Sequence, residues 1–152
     1  MTTPGNTATG DSVVIDQYYP HAPELVWKAL TTPGLLARWL MKTEGFVPEV
    51  GCRFTMQGRP MPAANFSGTV ACTVLEVEKL RKFSVSWDDA NAAEPTGWVV
   101  SWELQPEGRG TRVFFTHSGF DPDDAGQVTA RTIMAGGWRH IAAALGRLLD
   151  GE

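Results

Sequence analysis

The chain has 152 residues and a formal net charge of −4 at pH 7. Its length predicts one domain. Its acidic balance argues against a nucleic-acid-binding surface, which needs concentrated positive charge, and against a polybasic membrane anchor. No apolar stretch approaches the roughly 18 residues of a transmembrane helix, so no membrane insertion is expected.

Residues 1–11 are rich in glycine, threonine and proline and lack the cationic start and apolar stretch of a signal peptide. This composition predicts a disordered tail, followed by a single domain over residues 12–152. Cys52 and Cys72 lack the spacing of a metal or redox motif, so both are expected to be reduced thiols in or near the core. These features together predict a cytoplasmic protein.

The first elements are a β-rich segment, Ser12–Tyr19, and two short helices. Pro23 suits the first turn of the first helix, and Thr32 is expected to be the N-cap of the second. The predicted apolar face of the first helix consists of Leu25, Val26, Ala29 and Leu30, with Trp27 beside it. Leu36, Trp39 and Leu40 follow at helical spacing in the second.

The middle of the chain predicts an antiparallel sheet, because consecutive strands are joined by short turns such as Glu107–Gly110. Strands are expected over Arg53–Gln57, Phe66–Val77, Phe83–Trp87, Trp98–Leu104 and Arg112–His117. A shift of parity between Val70 and Leu75 predicts a β-bulge. Residues 58–65 and 88–97 are expected to be loops.

A long final helix is expected to begin near Asp123 and to hold about 27 residues. Its predicted buried stripe is Met134, Trp138, Ile141, Leu145 and Leu148. Gly136 and Gly137 interrupt this helix at a cost of ~2 kcal/mol relative to alanine. Either the helix backbone packs closely against the sheet there, or the position needs room, as a cavity mouth or a hinge for ligand entry would.

Several strings in this order resemble the SRPBCC, or START-like, superfamily, and in particular the relatives of the activator of the heat-shock protein 90 ATPase. They are Ala22–Thr31, Leu36–Trp39, Val74–Val77, Phe83–Trp87, Gly110–Val113, Thr116–Phe120 and Gly137-Trp138. The resemblance implies an α+β helix-grip fold, in which a curved antiparallel sheet surrounds the long C-terminal helix and two short helices follow the first strand. It also implies a cavity between the sheet and that helix.

The residues expected to line such a cavity are large and mostly aromatic, which suits an apolar ligand. They are Trp39, Phe54, Met56, Phe66, Val85, Trp87, Trp98, Val100, Trp102, Phe115, His117, Met134, Trp138 and Ile141. The same side chains would equally make a well-filled core. The sequence leaves these two interpretations open.

The candidate polar anchors of the cavity are Arg38, Arg53 and His117. The arginines could orient a ligand carboxylate or phenolate, or pair with surface acids. His117 could donate a hydrogen bond to a ligand, or be a structural histidine bonded to the backbone. No catalytic residue, metal site or cofactor is assigned, because no catalytic triad, phosphate-binding loop or dinucleotide fingerprint is present.

The leading functional hypothesis is a noncatalytic domain that binds a small hydrophobic molecule of lipid, flavonoid or polyketide type. A second hypothesis, implied by the resemblance, is a regulator of the heat-shock protein 90 chaperone. A third is an enzyme resembling polyketide cyclases, which would need His117 to converge on a ligand with Arg38 or a buried acid. The chain could act as a monomer or a homodimer.

Overall fold

A computed structural model describes residues 7–9, 11–64 and 66–151. The strands are β1 Thr7–Thr9, β2 Ser12–Tyr19, β3 Lys42–Glu44, β4 Arg53–Gln57, β5 Thr69–Glu78, β6 Lys82–Ser86, β7 Asp88–Asp89, β8 Val99–Glu107 and β9 Gly110–Ser118. The helices are α1 Pro23–Thr31, α2 Pro33–Trp39 and α3 Ala125–Leu149, with a 3₁₀ turn at Pro62–Ala64.

One curved antiparallel sheet runs in the order β1-β2-β9-β8-β6-β5-β4-β3, and β7 pairs with β5. After β2, the chain passes through α1 and α2 to β3, at the far edge of the sheet. The following strands lead back across the sheet to β9, which pairs with β2. Because α3 follows β9 and packs against β2, the long helix lies on the sheet. The predicted α+β helix-grip fold is therefore confirmed.

The predicted bulge in β5 is confirmed, since the pairing of β5 with β6 shifts register between Val74 and Glu76. β5 begins at Thr69 rather than Phe66, because Phe66 instead forms a two-residue bridge with Met61. Gly68, with a φ of +108°, separates that bridge from the strand. A residue with a side chain adopts this conformation only under strain.

The two short helices bury slightly different faces from those predicted. In α1, Leu25 is 43% exposed whereas Trp27 is buried with Val26, Ala29 and Leu30. Thr32 occupies the N-cap position of α2, but its side chain forms no capping hydrogen bond. The indole N–H of Trp39 donates to the carbonyl of Ala29 at 2.9 Å, which fixes α2 against α1.

The long helix α3 is continuous through both glycines and is capped by Asp124, one residue after the predicted start. Within its predicted stripe, Trp138 and Leu145 are buried, whereas Met134, Ile141 and Leu148 are only partly buried. None of the described helices is long and apolar enough to cross a membrane.

Most of the predicted disordered tail, residues 1–11, lies outside the described residues. Within it, Thr7–Thr9 forms the short edge strand β1, which pairs with Ser12–Val14 of β2. Both cysteines are free thiols, as predicted: Cys72 is buried and Cys52 is half-buried. Burial, with a smaller effect from Asp88, raises the pKa of the Cys72 thiol to about 12, so this thiol stays protonated and unreactive.

Candidate functional site

A buried hydrogen bond joins the helix to the sheet at the centre of the molecule. The indole N–H of Trp138 on α3 donates to Nδ1 of His117 on β9 at 3.0 Å. Since an indole nitrogen can only donate, Nδ1 of His117 accepts and the ring proton lies on Nε2. His117 is fully buried, and burial lowers its pKa to about 3, so the ring is neutral at physiological pH.

Aromatic rings surround this pair and form a continuous wall. The Trp138 ring lies 4.4 Å from Phe115 and 5.0 Å from Trp87, measured between ring centroids. On the other side, the His117 ring lies 5.1 Å from Trp98 and 4.4 Å from Phe120. Rings packed at these distances and tilted against one another stabilise the fold by more than their buried area alone.

A cavity of about 390 Å³ lies between this wall, residues 126–141 of α3 and the loops after β4 and β7. This volume is sufficient for a small organic ligand. Its aromatic surface comes from Phe66, Trp87, Trp98 and Trp138. Flexible aliphatic and thioether side chains complete the apolar lining: Met41, Met61, Ile133, Met134 and Ile141.

Four polar side chains also reach the cavity: Asp89, Thr96, Asp124 and Gln127. Gln127 Oε1 accepts from the Trp98 indole N–H at 3.2 Å and from the backbone N–H of Asp121 at 2.7 Å. This amide therefore holds Trp98 in place against the helix. Thr96 is held in the same way, since its hydroxyl donates to Asp88 at 2.8 Å.

Both carboxylates at the cavity are fixed by hydrogen-bond donors. Asp124 Oδ1 caps α3 by accepting from the backbone N–H groups of Gly126 at 2.8 Å and Gln127 at 3.3 Å. Asp89 accepts from the backbone N–H and the hydroxyl of Ser67, and from the backbone N–H of Asn91. These bonds hold the two carboxylates in position at the cavity.

Gly137 lines the cavity, and a Cβ at this position would meet nothing within 4 Å. At Gly136, which does not line the cavity, a Cβ would have only the Arg139 guanidinium in reach, at 3.9 Å. Close packing of the helix backbone against the sheet is therefore the wrong explanation for this glycine pair. The geometry fits the alternative of a cavity mouth that needs room.

The structure brings six of the predicted cavity residues to this space: Phe66, Trp87, Trp98, Met134, Trp138 and Ile141. The other eight lie in the buried core and do not line it: Trp39, Phe54, Met56, Val85, Val100, Trp102, Phe115 and His117. Strand parity and helix periodicity find the inward-facing side chains, but they do not separate those that contact one another from those that border an open space.

The interior changes along α3 from an open cavity near the start of the helix to a filled core near its end. Towards the C-terminal half of the helix, Trp39, Trp102 and Phe115 surround a void of only about 10 Å³, too small for any organic ligand. Towards the N-terminal half, the loops after β4 and β7 replace sheet as the facing surface. Both sequence interpretations therefore describe part of the same interior.

The predicted polar anchors do not meet at the cavity. Arg38 and Arg53 are exposed, and neither lines it. His117 lies directly behind the aromatic wall, and its only described hydrogen bond is the one from Trp138. The polar lining residues Asp89, Thr96, Asp124 and Gln127 were not expected from the sequence. One sequence feature could have indicated Asp124: an aspartate expected to cap α3 lies at the start of that helix, beside the cavity.

Among the described residues, no group of three or more histidine, cysteine, aspartate or glutamate side chains is arranged to hold a metal ion. His140 on α3 is exposed. His21 is bound to Asp150 at 2.7 Å, which ties the loop before α1 to the end of α3. Neither His21 nor His140 lines the cavity.

Residues 20–150 match the model of a protein family described as activator of Hsp90 ATPase homolog 1-like protein. The chain belongs to this family. The matched region contains β9, α3 and every side chain that lines the cavity, so the family assignment and the site concern the same part of the fold. No curated protein matches the chain at a significant level.

Solved structures carry the same fold. Protein MLL2253 from Mesorhizobium loti is 34% identical, with a TM-score of 0.77 over 91% of this chain and 96% of that one. Protein BH1534 from Bacillus halodurans is 25% identical, with a TM-score of 0.73 over 94% and 99% of the two chains. The Aha1 dimer of Colwellia psychrerythraea is similar in fold, at 19% identity and a TM-score of 0.69 over 91% and 95%.

Proposed function

We propose that this domain binds a small, largely apolar molecule in the cavity between α3, the aromatic wall and the loops after β4 and β7. The single observation that carries the proposal is a space of about 390 Å³ bordered by three tryptophan rings, Trp87, Trp98 and Trp138. Concave, largely apolar pockets of such volume are typical of ligand sites.

The wall of the cavity is organised before any ligand arrives. Trp138 is held by His117 and Trp98 by Gln127, so two of the three indoles have their polar atom satisfied within the protein. A ligand then meets ring faces whose positions are already fixed, and binding loses little side-chain entropy there. The methionines Met41, Met61 and Met134 provide an adaptable opposite surface.

The size and lining suit a molecule of two or three fused rings, or a short acyl chain, in keeping with a lipid, flavonoid or polyketide ligand. The thiols of the chain are free, which accords with the proposed cytoplasmic location. The domain would act as a binding module, as a monomer or as a homodimer.

The first test is a thermal-shift and tryptophan-fluorescence screen of lipids, flavonoids and aromatic polyketides. A ligand of the cavity should raise the melting temperature and change the emission of the wall tryptophans. The decisive variant is Gly137→Leu, because its side chain would enter the open space at the cavity. Gly136→Leu is the matched control, since the neighbouring position gains the same side chain outside the cavity.

We expect Gly137→Leu to weaken binding by about tenfold or more, through steric overlap with the ligand. Gly136→Leu should bind as the wild type does. Equal binding by all three proteins would place the ligand elsewhere and contradict the proposal. A complete absence of hits would favour a protein partner instead.

A second candidate function is contact with a chaperone of the heat-shock protein 90 type, which the family description supports. A pull-down with the bacterial chaperone, followed by its ATPase assay, tests it directly. A cyclase-like enzyme has less support from the geometry, because neither His117 nor Arg38 lines the cavity.

A further inference from the structure

We infer that the cavity selects its ligands by charge, and that its preferred ligand carries an amine or another organic cation on an apolar body. This inference rests on the proposed binding function and names the class of molecule that the same site would take. Its basis is the set of charged side chains that reach the cavity.

Within the part of the chain that the structure describes, the only charged residues that line the cavity are Asp89 and Asp124, both acidic. No lysine, arginine or histidine among the described residues lines the space. The basic residues directly adjacent in sequence to lining positions, Lys42, Arg131, Arg139 and His140, do not line it either. A carboxylate or phosphate ligand would therefore meet two carboxylates and no basic side chain among the described lining residues.

The apolar part of the lining favours the same class of ligand. Trp87, Trp98 and Trp138 border the space, and the faces of indole rings attract cations through their quadrupole. Met41, Met61 and Met134 add polarizable sulfur and no charge. A cationic head near the carboxylates and an apolar body against the rings would use both kinds of surface.

Asp124 is the residue through which this inference can be tested cleanly. Its described cap bonds, to Gly126 and Gln127, both run to Oδ1, so an asparagine can keep the cap while the charge is removed. Asp89 is less suitable, because its two oxygens accept three hydrogen bonds and an amide could not accept all of them. Asp123 is exposed and does not line the cavity, so Asp123→Asn removes the same charge nearby as a control.

The experiment measures the affinity of three probes of similar shape by calorimetry and NMR titration: 2-(2-naphthyl)ethylamine, 2-(2-naphthyl)ethanol and 2-naphthylacetate. We expect the amine to bind the wild type about tenfold or more tightly than the carboxylate, because the amine makes a favourable charge contact with the lining carboxylates where the carboxylate probe is repelled. Asp124→Asn should reduce the affinity for the amine about fivefold and leave the affinity for the alcohol unchanged. Asp123→Asn should match the wild type for all three probes.

The outcomes separate this inference from the function on which it rests. If the alcohol binds but the amine binds no better than the carboxylate, charge selection is wrong while ligand binding stands. An equal loss in Asp124→Asn and Asp123→Asn would also overturn it, because the effect would then come from net charge alone. If none of the three probes binds the wild type, both the inference and the proposed cavity function are contradicted for ligands of this size.

Discussion

Trp138 donates its indole N–H to Nδ1 of His117 at 3.0 Å, in the most deeply buried polar contact between the long helix and the sheet. The bond fixes the tautomer of the histidine and leaves its Nε2–H without a partner among the described residues. A buried donor left unpaired in this way costs about 1–3 kcal/mol. The bond therefore positions Trp138 in the cavity wall, and the unpaired donor of His117 behind that wall lowers the stability of the fold.

The buried histidine predicts a loss of stability in mild acid. The pKa of His117 is about 3 in the folded protein and about 6.5 when exposed, so the unfolded chain binds more protons between these values. The free energy of unfolding should therefore fall as the pH drops below about 6.5, by up to ~1.4 kcal/mol per pH unit from this residue. Urea unfolding at a series of pH values measures the slope.

His117→Asn is the variant that isolates this effect, because its Oδ1 can accept from Trp138 but does not titrate. Its absolute stability should fall, since the smaller side chain leaves a void. Its slope below pH 6.5 should nevertheless be shallower than that of the wild type, as the carboxylates are common to both. Identical slopes would mean that His117 is not buried as a neutral ring.

The glycine pair of α3 predicts two stabilising substitutions. Gly136→Ala and Gly137→Ala should each raise the free energy of unfolding by about 0.5–1 kcal/mol, because both positions are helical and a Cβ has no close neighbour at either. Chemical denaturation of the two variants provides the measurement. A large destabilisation at Gly137 alone would indicate a backbone contact with the sheet that the structure does not contain.

Gly119, at the turn between β9 and α3, should tolerate no side chain. Its φ is +99°, and a Cβ would lie 2.7 Å from the carbonyl oxygen of Gly97. We expect Gly119→Ala to cost about 2 kcal/mol more than Gly97→Ala, a matched control with a φ of +81° and no neighbour within 4 Å. Thermal unfolding distinguishes the two, and equal losses would mean that left-handed backbone strain alone is responsible.

The N-cap of α3 predicts a difference between two substitutions at one position. Asp124→Ala should reduce the free energy of unfolding by about 1 kcal/mol, since the backbone N–H groups of Gly126 and Gln127 lose their acceptor. Asp124→Asn should reduce the free energy of unfolding by only a few tenths of a kcal/mol, because an asparagine side chain caps a helix nearly as well as an aspartate. Equal losses in denaturant unfolding would show that the charge, rather than the cap, stabilises the helix.

The sequence predicts the fold well where periodicity decides it. β2, predicted from its β-rich composition, and the short β4 begin and end at the predicted residues, and the bulge in β5 follows from a change of parity. β3 and β7 escape prediction because strands of three and two residues are too short to establish a period. Their pairing depends on neighbours brought close by the rest of the sheet.

The candidate site is less accessible to sequence reasoning. Alternation places Trp98, Trp102 and His117 towards the interior, and the structure agrees. It does not reveal that Trp98 borders an open space while Trp102 is covered by Trp39, at 6.0 Å between rings. That distinction depends on loop residues such as Met61 and Phe66, whose positions are determined by tertiary contacts rather than by a local pattern.

The aromatic side chains of the interior form a connected series from the filled core to the cavity. Trp39 lies 6.0 Å from Trp102, which lies 6.2 Å from Trp138, and Trp138 lies 5.0 Å from Trp87. Indoles this close exchange electronic excitation, so light absorbed by a ring deep in the core can be emitted by one at the cavity. A molecule that quenches Trp87 or Trp138 would thus dim the buried tryptophans as well, and the protein contains its own optical reporter for occupancy.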